Sequence, residues 1–346
     1  MSFAAAAFAY LLLAGCAAVG PNYSPPKPDV PAQWSTPVDS GSLRQTELAR
    51  WWRQFNDPVL DGLIAQALAA NLDLATARAQ LREARAQRDL AAAGLAPSVD
   101  ASVSASRSKS SAEAGSGTSR NLYSAGFDAS WEVDVFGGLR RGAQAAQADL
   151  DASVASLHDV QVSLVAEVAV NYVDLRTAQR RLAIANSSLA LLRETYDLAR
   201  WRMQAGLASE LDVAQARTEL ESAQAAVPAL RTSVVEARHR LAVLLGLNPG
   251  ELGARLGSAG TIPVLRHAVT VGIPADTLRQ RPDVRVAERR LAAQTARLGE
   301  AEAARYPSFN LSGSIGLEAL TLSGLGGGDA GTRSLLGSIT APIFDA

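Results

Sequence analysis

Cysteine and histidine, which often act as nucleophiles or metal ligands, are rare in this chain. Among its 346 residues there is one cysteine, Cys16, and there are three histidines. The histidines, His158, His239 and His267, are far apart in the sequence and no further cysteine accompanies them, so no metal site is expected. No G-x-S-x-G nucleophile motif occurs, and "GGLRRG" at 137–142 lacks the lysine of a phosphate-binding loop. We therefore predict that the protein is not an enzyme and needs no cofactor.

Charge and composition exclude further classes of protein. The formal net charge is −1, so no basic surface for nucleic acid is predicted. A single cysteine also excludes a disulfide within the chain. Hydrophobic residues make up 48% of the sequence, yet no uninterrupted apolar run reaches the ~18 residues of a membrane-spanning helix. If the chain crosses a membrane, we expect it to do so by another structure.

The surroundings of Cys16 indicate a covalent lipid. The apolar run "FAAAAFAYLLLA" at 3–14 has the length of the hydrophobic region of a signal peptide. The next residues, "LAGC" at 13–16, resemble the lipobox of bacterial lipoproteins, in which the thiol takes a diacylglyceryl group before cleavage. We expect residues 1–15 to be a lipoprotein signal peptide and Cys16 to be the acylated first residue of the mature chain. The alternative is an ordinary signal sequence that contains an incidental cysteine.

The sequence contains an internal repeat of roughly 210 residues. The segment "LAANLDLATARAQLREARAQRDLAAAGLAPSVDASVS" from Leu68 aligns without a gap with "LRQRPDVRVAERRLAAQTARLGEAEAARYPSFNLSGS" from Leu278. In each copy a helical pattern ends at a proline, Pro97 or Pro307, and an alternating pattern begins. A helix that runs into a strand is therefore predicted twice.

Polar and apolar side chains alternate over about 13 residues from Tyr123, which is typical of a strand with two different faces. A soluble β-sandwich is one interpretation, but its strands average about 5 or 6 residues, whereas a transmembrane strand needs roughly 9 to 11. We therefore favour a membrane sheet in which Asp128, Ser130, Glu132 and Asp134 face a water-filled lumen. About four such strands are expected, which is too few to close a barrel. Since an open edge in lipid leaves backbone groups unsatisfied, several chains must share their strands.

Long helices are predicted between the two copies. Apolar or small residues recur at steps of three and four from Val168 to Met203 and again from Val213 to Leu244, which is the spacing of heptads. If residues 140–204 form one helix, it is about 98 Å long. Two shorter helices at about 57–95 and 209–246 have a similar summed length. Pro228 lies in the second of them and is expected to kink it.

Six segments of the chain together resemble the TolC-like outer membrane factors, in particular the lipoprotein (NodT-type) branch that serves multidrug efflux systems. In order, they read "WWRQFNDPVLDGLIAQAL", "WEVDVFGGLRRG", "LVAEVAVNYVDLRTAQRRLAIA", "RWRMQAGLASELDVAQAR", "RLAVLLGLNPG" and "IPADTLRQRPDVRVAERRL". The resemblance implies an α+β fold and a homotrimer. Three chains would share twelve strands in a membrane β-barrel and would build a long α-helical coiled-coil barrel in the periplasm.

The same resemblance implies a function and partners. The protein would be the outer-membrane channel component of a tripartite efflux pump, anchored in outer membrane lipid and conducting small molecules such as drugs passively to the exterior. Its partners would be a periplasmic membrane-fusion (adaptor) protein and an inner-membrane efflux pump. In the turn "RWRMQAGLASELD" the resemblance implies that Arg202, Gly206 and Ser209 meet the adaptor, although a plain coiled-coil turn has the same sequence features. The alternative function is a non-conducting structural coiled-coil lipoprotein of the outer membrane.

These observations divide the chain into four parts. They are the signal peptide at 1–15, a lipidated extended linker at 16–56, a first repeat at 57–266 and a second repeat at 267–346. In the first copy Phe136 is followed by a helical hairpin that is predicted to extend to about position 246, whereas the matching point in the second copy is Phe344. We therefore expect the second repeat to be incomplete at its C-terminal end.

Overall fold

The fold is described from a computed structural model, which covers most of the chain. It describes residues 18–27, 30–31, 50–113, 117–265 and 274–344. The predicted signal peptide, Cys16 and His267 lie outside these ranges.

The chain forms two compact units. A sheet unit comprises residues up to 27, 80–154 and 284–346, and a helical unit comprises 28–79 and 155–283. The sheet unit contains four strands: β1 (Ser98–Lys109), β2 (Ser119–Glu132), β3 (Ser308–Ala319) and β4 (Gly331–Thr340). They lie side by side in sequence order, and each neighbouring pair is antiparallel. The prediction of about four long strands is confirmed, since each has 10 to 14 residues.

Helices precede the strands in both copies of the sequence. They are α1 (Pro58–Ala70) and α2 (Leu72–Ala93) before β1, and α6 (Pro274–Gln280) and α7 (Pro282–Ala303) before β3. The helix α7 has the same length as α2 and is offset from it by the shift that aligns the two sequence copies, and β3 is offset from β1 by the same shift. The break between α6 and α7 likewise corresponds to the break between α1 and α2.

The remaining helices form a hairpin and a short connection. They are α3 (Gly138–Gln204), α4 (Glu210–Leu244) and α5 (Gly253–Leu256), with single 3-10 turns at Trp51–Phe55 and Leu322–Gly326. One continuous helix of 67 residues confirms the predicted long helix. The predicted seam positions from Val213 to Leu244 are buried or half-buried, and most of the residues between them are exposed. The helix α4 continues through Pro228, so the loss of one backbone donor does not end it.

The prediction of one helix over about 57–95 is wrong, because the helix breaks at Asn71. The two halves, α1 and α2, are bent by 41° relative to each other. Asn71 is 5% exposed, and its Oδ1 accepts a hydrogen bond from the Leu74 N–H at 3.0 Å. Its Nδ2 donates to the Leu244 carbonyl oxygen at 3.0 Å. One side chain therefore caps the start of α2 and satisfies the end of α4.

The core of the helical unit is built from α1, α3, α4 and the residues around α5. Its fully buried side chains include Leu60, Leu63, Val168, Tyr172, Leu175, Leu241, Leu245 and Leu256. An 18-residue stretch of α3 is long and apolar enough to cross a membrane by length and composition, although charged residues interrupt its apolar run. The same helix supplies Val168, Tyr172 and Leu175 to the core, and 28% of the apolar stretch is buried.

Candidate functional site

The four strands place most of their polar side chains on one face of the sheet. The polar residues on the other face are Arg107, Lys109, Ser119, Asn121 and Arg333. The register aligns even-numbered residues across all four strands, because Ser98 pairs with Ser130, Ser130 with Ser312, and Ser314 with Ser334. This polar face carries serine, threonine, asparagine and acidic residues: Ser98, Asp100, Ser102, Ser104, Ser124, Asp128, Ser130, Glu132, Asn310, Ser312, Ser314, Glu318, Thr332, Ser334 and Ser338. Leu122 and Leu336 are apolar residues on it.

Hydrogen bonds between strands hold the small side chains of the polar face. Ser98 Oγ lies 2.9 Å from Ser130 Oγ, and Ser102 Oγ donates to Asp128 Oδ2 at 3.1 Å. Asp100 lies directly opposite Asp128 in the register. Because serine side chains are short and both carboxylates are exposed, this face presents hydroxyls and negative charge to water. No group of three or more histidine, cysteine, aspartate or glutamate side chains able to hold a metal ion occurs in the described part of the chain.

The opposite face of the sheet is mainly apolar, and no second layer covers it among the residues that the structure describes. It carries Phe127, Ile315 and Leu335, whose side chains are exposed by 58%, 66% and 80%. In a water-soluble sheet such residues lie against a second layer, since exposed apolar patches of this extent are unfavourable in water. A face of this kind suits contact with lipid, and the aromatic residue Trp131 lies next to the C-terminal end of β2.

Two glycines lie opposite each other in the middle of the sheet. Gly126 of β2 pairs with Gly316 of β3. A Cβ atom at Gly126 would lie 2.9 Å from the Ile315 carbonyl oxygen, and a Cβ at Gly316 would lie 2.8 Å from the Ala125 carbonyl oxygen. The strands therefore approach too closely for any side chain at this pair, which is how glycines permit a sheet to bend.

The prediction that Asp134 lies on the strand with Asp128, Ser130 and Glu132 is wrong. The strand β2 ends at Glu132, and the Asp134 carboxylate accepts hydrogen bonds from the Leu139 N–H at 3.3 Å and from the Arg140 N–H at 2.9 Å. Arg140 Nε also donates to it at 3.1 Å. Asp134 thus caps the start of α3, where a negative charge is favourable.

The three predicted residues of the hairpin tip come together in one turn. Gly206 has φ of +72°, and the Leu207 N–H donates to the Arg202 carbonyl oxygen at 2.8 Å, so the turn ends α3 in a glycine cap. Ser209 begins α4 with a capping box: its N–H donates to Asp212 Oδ2 at 2.8 Å, and the Asp212 N–H donates to Ser209 Oγ at 3.2 Å. The backbone and hydroxyl hydrogen bonds from Ser209 lower the pKa of the Asp212 carboxyl.

Sequence reasoning missed a polar contact inside the helical core. Tyr172 is 1% exposed and its hydroxyl donates to Asp57 Oδ2 at 2.8 Å, while Asp57 Oδ1 accepts from the first backbone N–H groups of α1. Burial raises the pKa of the Tyr172 phenol, so it stays protonated and acts as a donor. The Cζ atom of the Arg176 guanidinium lies 5.0 Å from the centre of the Tyr172 ring. The Asp57-Pro58 pair in the sequence is a signal for the helix cap. No neighbouring residue in the sequence indicates that Tyr172 is its partner.

Long strands with one polar and one exposed apolar face, in a chain that also forms a coiled-coil hairpin of 67 and 35 residues, define the class of outer-membrane efflux channel proteins. Residues 63–247 and 273–346 match the outer membrane efflux protein family. The chain belongs to this family.

Relatives and solved structures agree with this assignment. The chain is 38% identical over 309 residues to nodulation protein T of Rhizobium leguminosarum bv. trifolii, covering 89% of this chain and 66% of that protein. It is 34% identical to the antibiotic efflux pump outer membrane protein ArpC of Pseudomonas putida, covering 100% of this chain and 72% of that protein. Its fold is similar to that of the outer-membrane channel OprN, with a TM-score of 0.86, 39% identity and coverage of 93% of this chain and 73% of OprN. The chain thus spans about two thirds of the length of these relatives.

Proposed function

We propose that this chain is the outer-membrane channel component of a tripartite efflux pump and conducts small molecules such as drugs passively to the exterior. The observation that carries the proposal is the four-stranded sheet, whose one face is polar and whose other face is mainly apolar, with exposed side chains. Family membership and relatives named as efflux pump outer membrane proteins support the same function.

The open edges of the sheet support a homotrimer. Only one side of β1 and one side of β4 is paired within the described sheet, so each edge presents free backbone groups. In lipid these groups must be paired, which edge-to-edge joining of three copies would achieve in a closed barrel of twelve strands. Asp128, Ser130 and Glu132 would then face the water-filled lumen, and Phe127 and Ile315 would face lipid.

The partners in this proposal are a periplasmic membrane-fusion (adaptor) protein and an inner-membrane efflux pump. The exposed hairpin tip, with Arg202, Gly206 and Ser209, is the proposed contact with the adaptor, because a rigid capped turn presents a fixed surface. Crosslinking from a cysteine at position 209 to the adaptor tests this contact in an assembled complex. Adducts are expected, and their absence from every position of the tip would refute it.

Localisation in the proposal is the outer membrane, with a lipid on Cys16 as a second tether beside the barrel. The domain division into 1–15, 16–56, 57–266 and 267–346 belongs to this proposal, and the common offset of α2 from α7 and of β1 from β3 supports its two repeats. Replacing Cys16 by serine tests the lipid. Because cleavage follows acylation of the thiol, the Cys16→Ser chain should lose the acyl groups and keep residues 1–15, and intact mass measures both changes. A mass that differs from that of the unsubstituted chain only by the exchange of sulfur for oxygen would refute acylation.

The function is tested by single-channel conductance of the purified full chain in planar bilayers. We expect discrete conductance steps and a heat-modifiable trimer on gels. A matched preparation with Gly126→Ala, which disturbs the sheet, should lose both signals. Absence of conductance and of a trimer from the unsubstituted chain would refute the channel and would favour a non-conducting coiled-coil lipoprotein.

A further inference from the structure

A groove in the sheet unit holds the segment that closely follows Cys16. The Val19 N–H donates to the Phe136 carbonyl oxygen at 3.0 Å. Gly137, with φ of +82°, lies so close to Ala18 that no side chain fits at position 137. Gly20, with φ of +86°, is packed in the same way against Gly299 of α7. The groove is therefore lined by glycines of the strand-to-helix connection and of α7, and the segment fills it.

Arg141 binds this segment from the first turn of α3. Its side chain is almost fully buried, since the residue is 5% exposed. Its Nε donates to the Val19 carbonyl oxygen at 3.1 Å, and its Nη2 donates to the Gly20 carbonyl oxygen at 3.1 Å and to Asn22 Oδ1 at 3.0 Å. Its Nη1 donates to Gln144 Oε1 at 3.1 Å. Three of these four acceptors belong to the segment.

The buried Arg141 side chain needs the acceptors of the segment, and the segment is held in the groove by Arg141. A guanidinium remains charged at all physiological pH values, and a buried charge is tolerated only when its donors are hydrogen-bonded. All four acceptors of Arg141 are neutral oxygens, so their number and geometry must compensate for the loss of water. Further along the segment, the Tyr23 hydroxyl donates to Glu288 Oε1 of α7 at 3.3 Å. Docking therefore extends from Ala18 to Tyr23.

We propose that Arg141 is a positioning residue for the lipid anchor: it holds the chain directly after Cys16, so that the acyl chains emerge at the strand-to-helix junction. The proposal rests on the acylation of Cys16 proposed above. Two peptide units separate Cys16 from Ala18, and they span at most about 7 Å. The docking precedes the rest of the 16–56 linker, so the length of that linker does not change where the lipid is held.

A cleavage and retention experiment tests this proposal on the full acylated chain. A specific protease site is inserted between Asp39 and Ser40, and the purified protein is cut in detergent, which leaves residues 16–39 attached only by non-covalent contacts. The variants are Arg141→Gln, Asn22→Ala on the segment side, and Arg290→Gln as a matched control, an exposed arginine of α7. The measurement is the fraction of the lipopeptide that remains with the body of the protein after gel filtration.

We expect the unsubstituted chain and the Arg290→Gln control to retain the lipopeptide. Arg141→Gln should weaken retention at least tenfold, and Asn22→Ala, which cannot disturb the helices of the groove, should weaken it several-fold. Equal retention in all four proteins, or equal loss from all four, would overturn the proposal. A retained segment whose mass shows no acyl group on Cys16 would overturn its lipid-positioning role.

Conductance of the same preparations separates this inference from the channel proposal. Retention that depends on Arg141 in a protein that does not conduct would refute the channel and support the positioning role. Conductance together with retention that is independent of Arg141 would support the channel and refute the positioning role.

Discussion

Substitution of Asn71 by alanine should strongly destabilise the junction of α1, α2 and α4. The change removes the side chain that caps Leu74, and loss of such a cap costs about 1 kcal/mol. It also leaves the Leu244 carbonyl oxygen without the Asn71 donor at a site that is 5% exposed, which costs a further 1–3 kcal/mol or so. The expected total is about 2–4 kcal/mol, which corresponds to roughly 30- to 1000-fold in an opening equilibrium.

Native-state hydrogen exchange of the full chain in detergent measures this effect at the Leu74 amide. Asn71→Ala should increase its exchange by the factor given above, with the first turn of α2 affected most. Asn71→Ser keeps an acceptor for Leu74, but its hydroxyl lies one bond closer to the backbone than the amide nitrogen that reaches Leu244, so it should show an intermediate effect. If Asn71→Ala and Asn71→Ser both left exchange within about threefold of the unsubstituted chain, the assignment of two energetic roles to Asn71 would be wrong.

Three further outcomes are expected. Gly126→Ala should prevent formation of the heat-modifiable trimer, because its Cβ meets backbone at 2.9 Å, whereas Gly337→Ala, which meets no atom within 4 Å, should leave it intact. Tyr172→Phe should lower the stability of α1 by about 1.5 kcal/mol through loss of a hydrogen bond to a carboxylate, as measured by amide exchange in α1; no change would contradict the assigned contact. The lowered pKa of Asp212 means that the capping box stabilises the tip above the ordinary pKa of 3.8 and loses this contribution as pH falls through the lowered pKa. Exchange of the Ser209 amide, corrected for its intrinsic pH dependence, should therefore rise on acidification, and Asp212→Asn should abolish that rise.

Much of the secondary structure followed from the sequence, because period and side-chain type act locally. Alternation of polar and apolar residues predicted the long strands, and the register puts Asp128, Ser130 and Glu132 on one face as expected. Heptad spacing predicted the long helix α3 and the buried seam of α4 in the same way. Period two and period 3.5 are properties of a single segment, so they can be read without knowledge of its neighbours.

The errors arose where a pattern continued beyond the structure that it describes. Alternation runs on through Val133 and Val135, so Asp134 was assigned to the strand, whereas the nearby N–H groups of α3 recruit its carboxylate as a cap. The helical pattern likewise runs through Asn71, and the break there depends on Leu244, which is 173 residues away in the sequence. Local periodicity contains no information about a competing hydrogen-bond partner.

The sequence by itself determined that the chain has amphipathic strands of membrane-spanning length, long coiled-coil helices and a lipobox-like cysteine, since each follows from residue types at short spacing. Only the tertiary structure decided which polar groups meet. The Arg141 guanidinium and the carbonyl oxygen of Val19 are 122 residues apart in the sequence, and Tyr172 and Asp57 are 115 apart. Such pairs depend on how the whole chain packs, because a buried donor must find an acceptor wherever the fold places one.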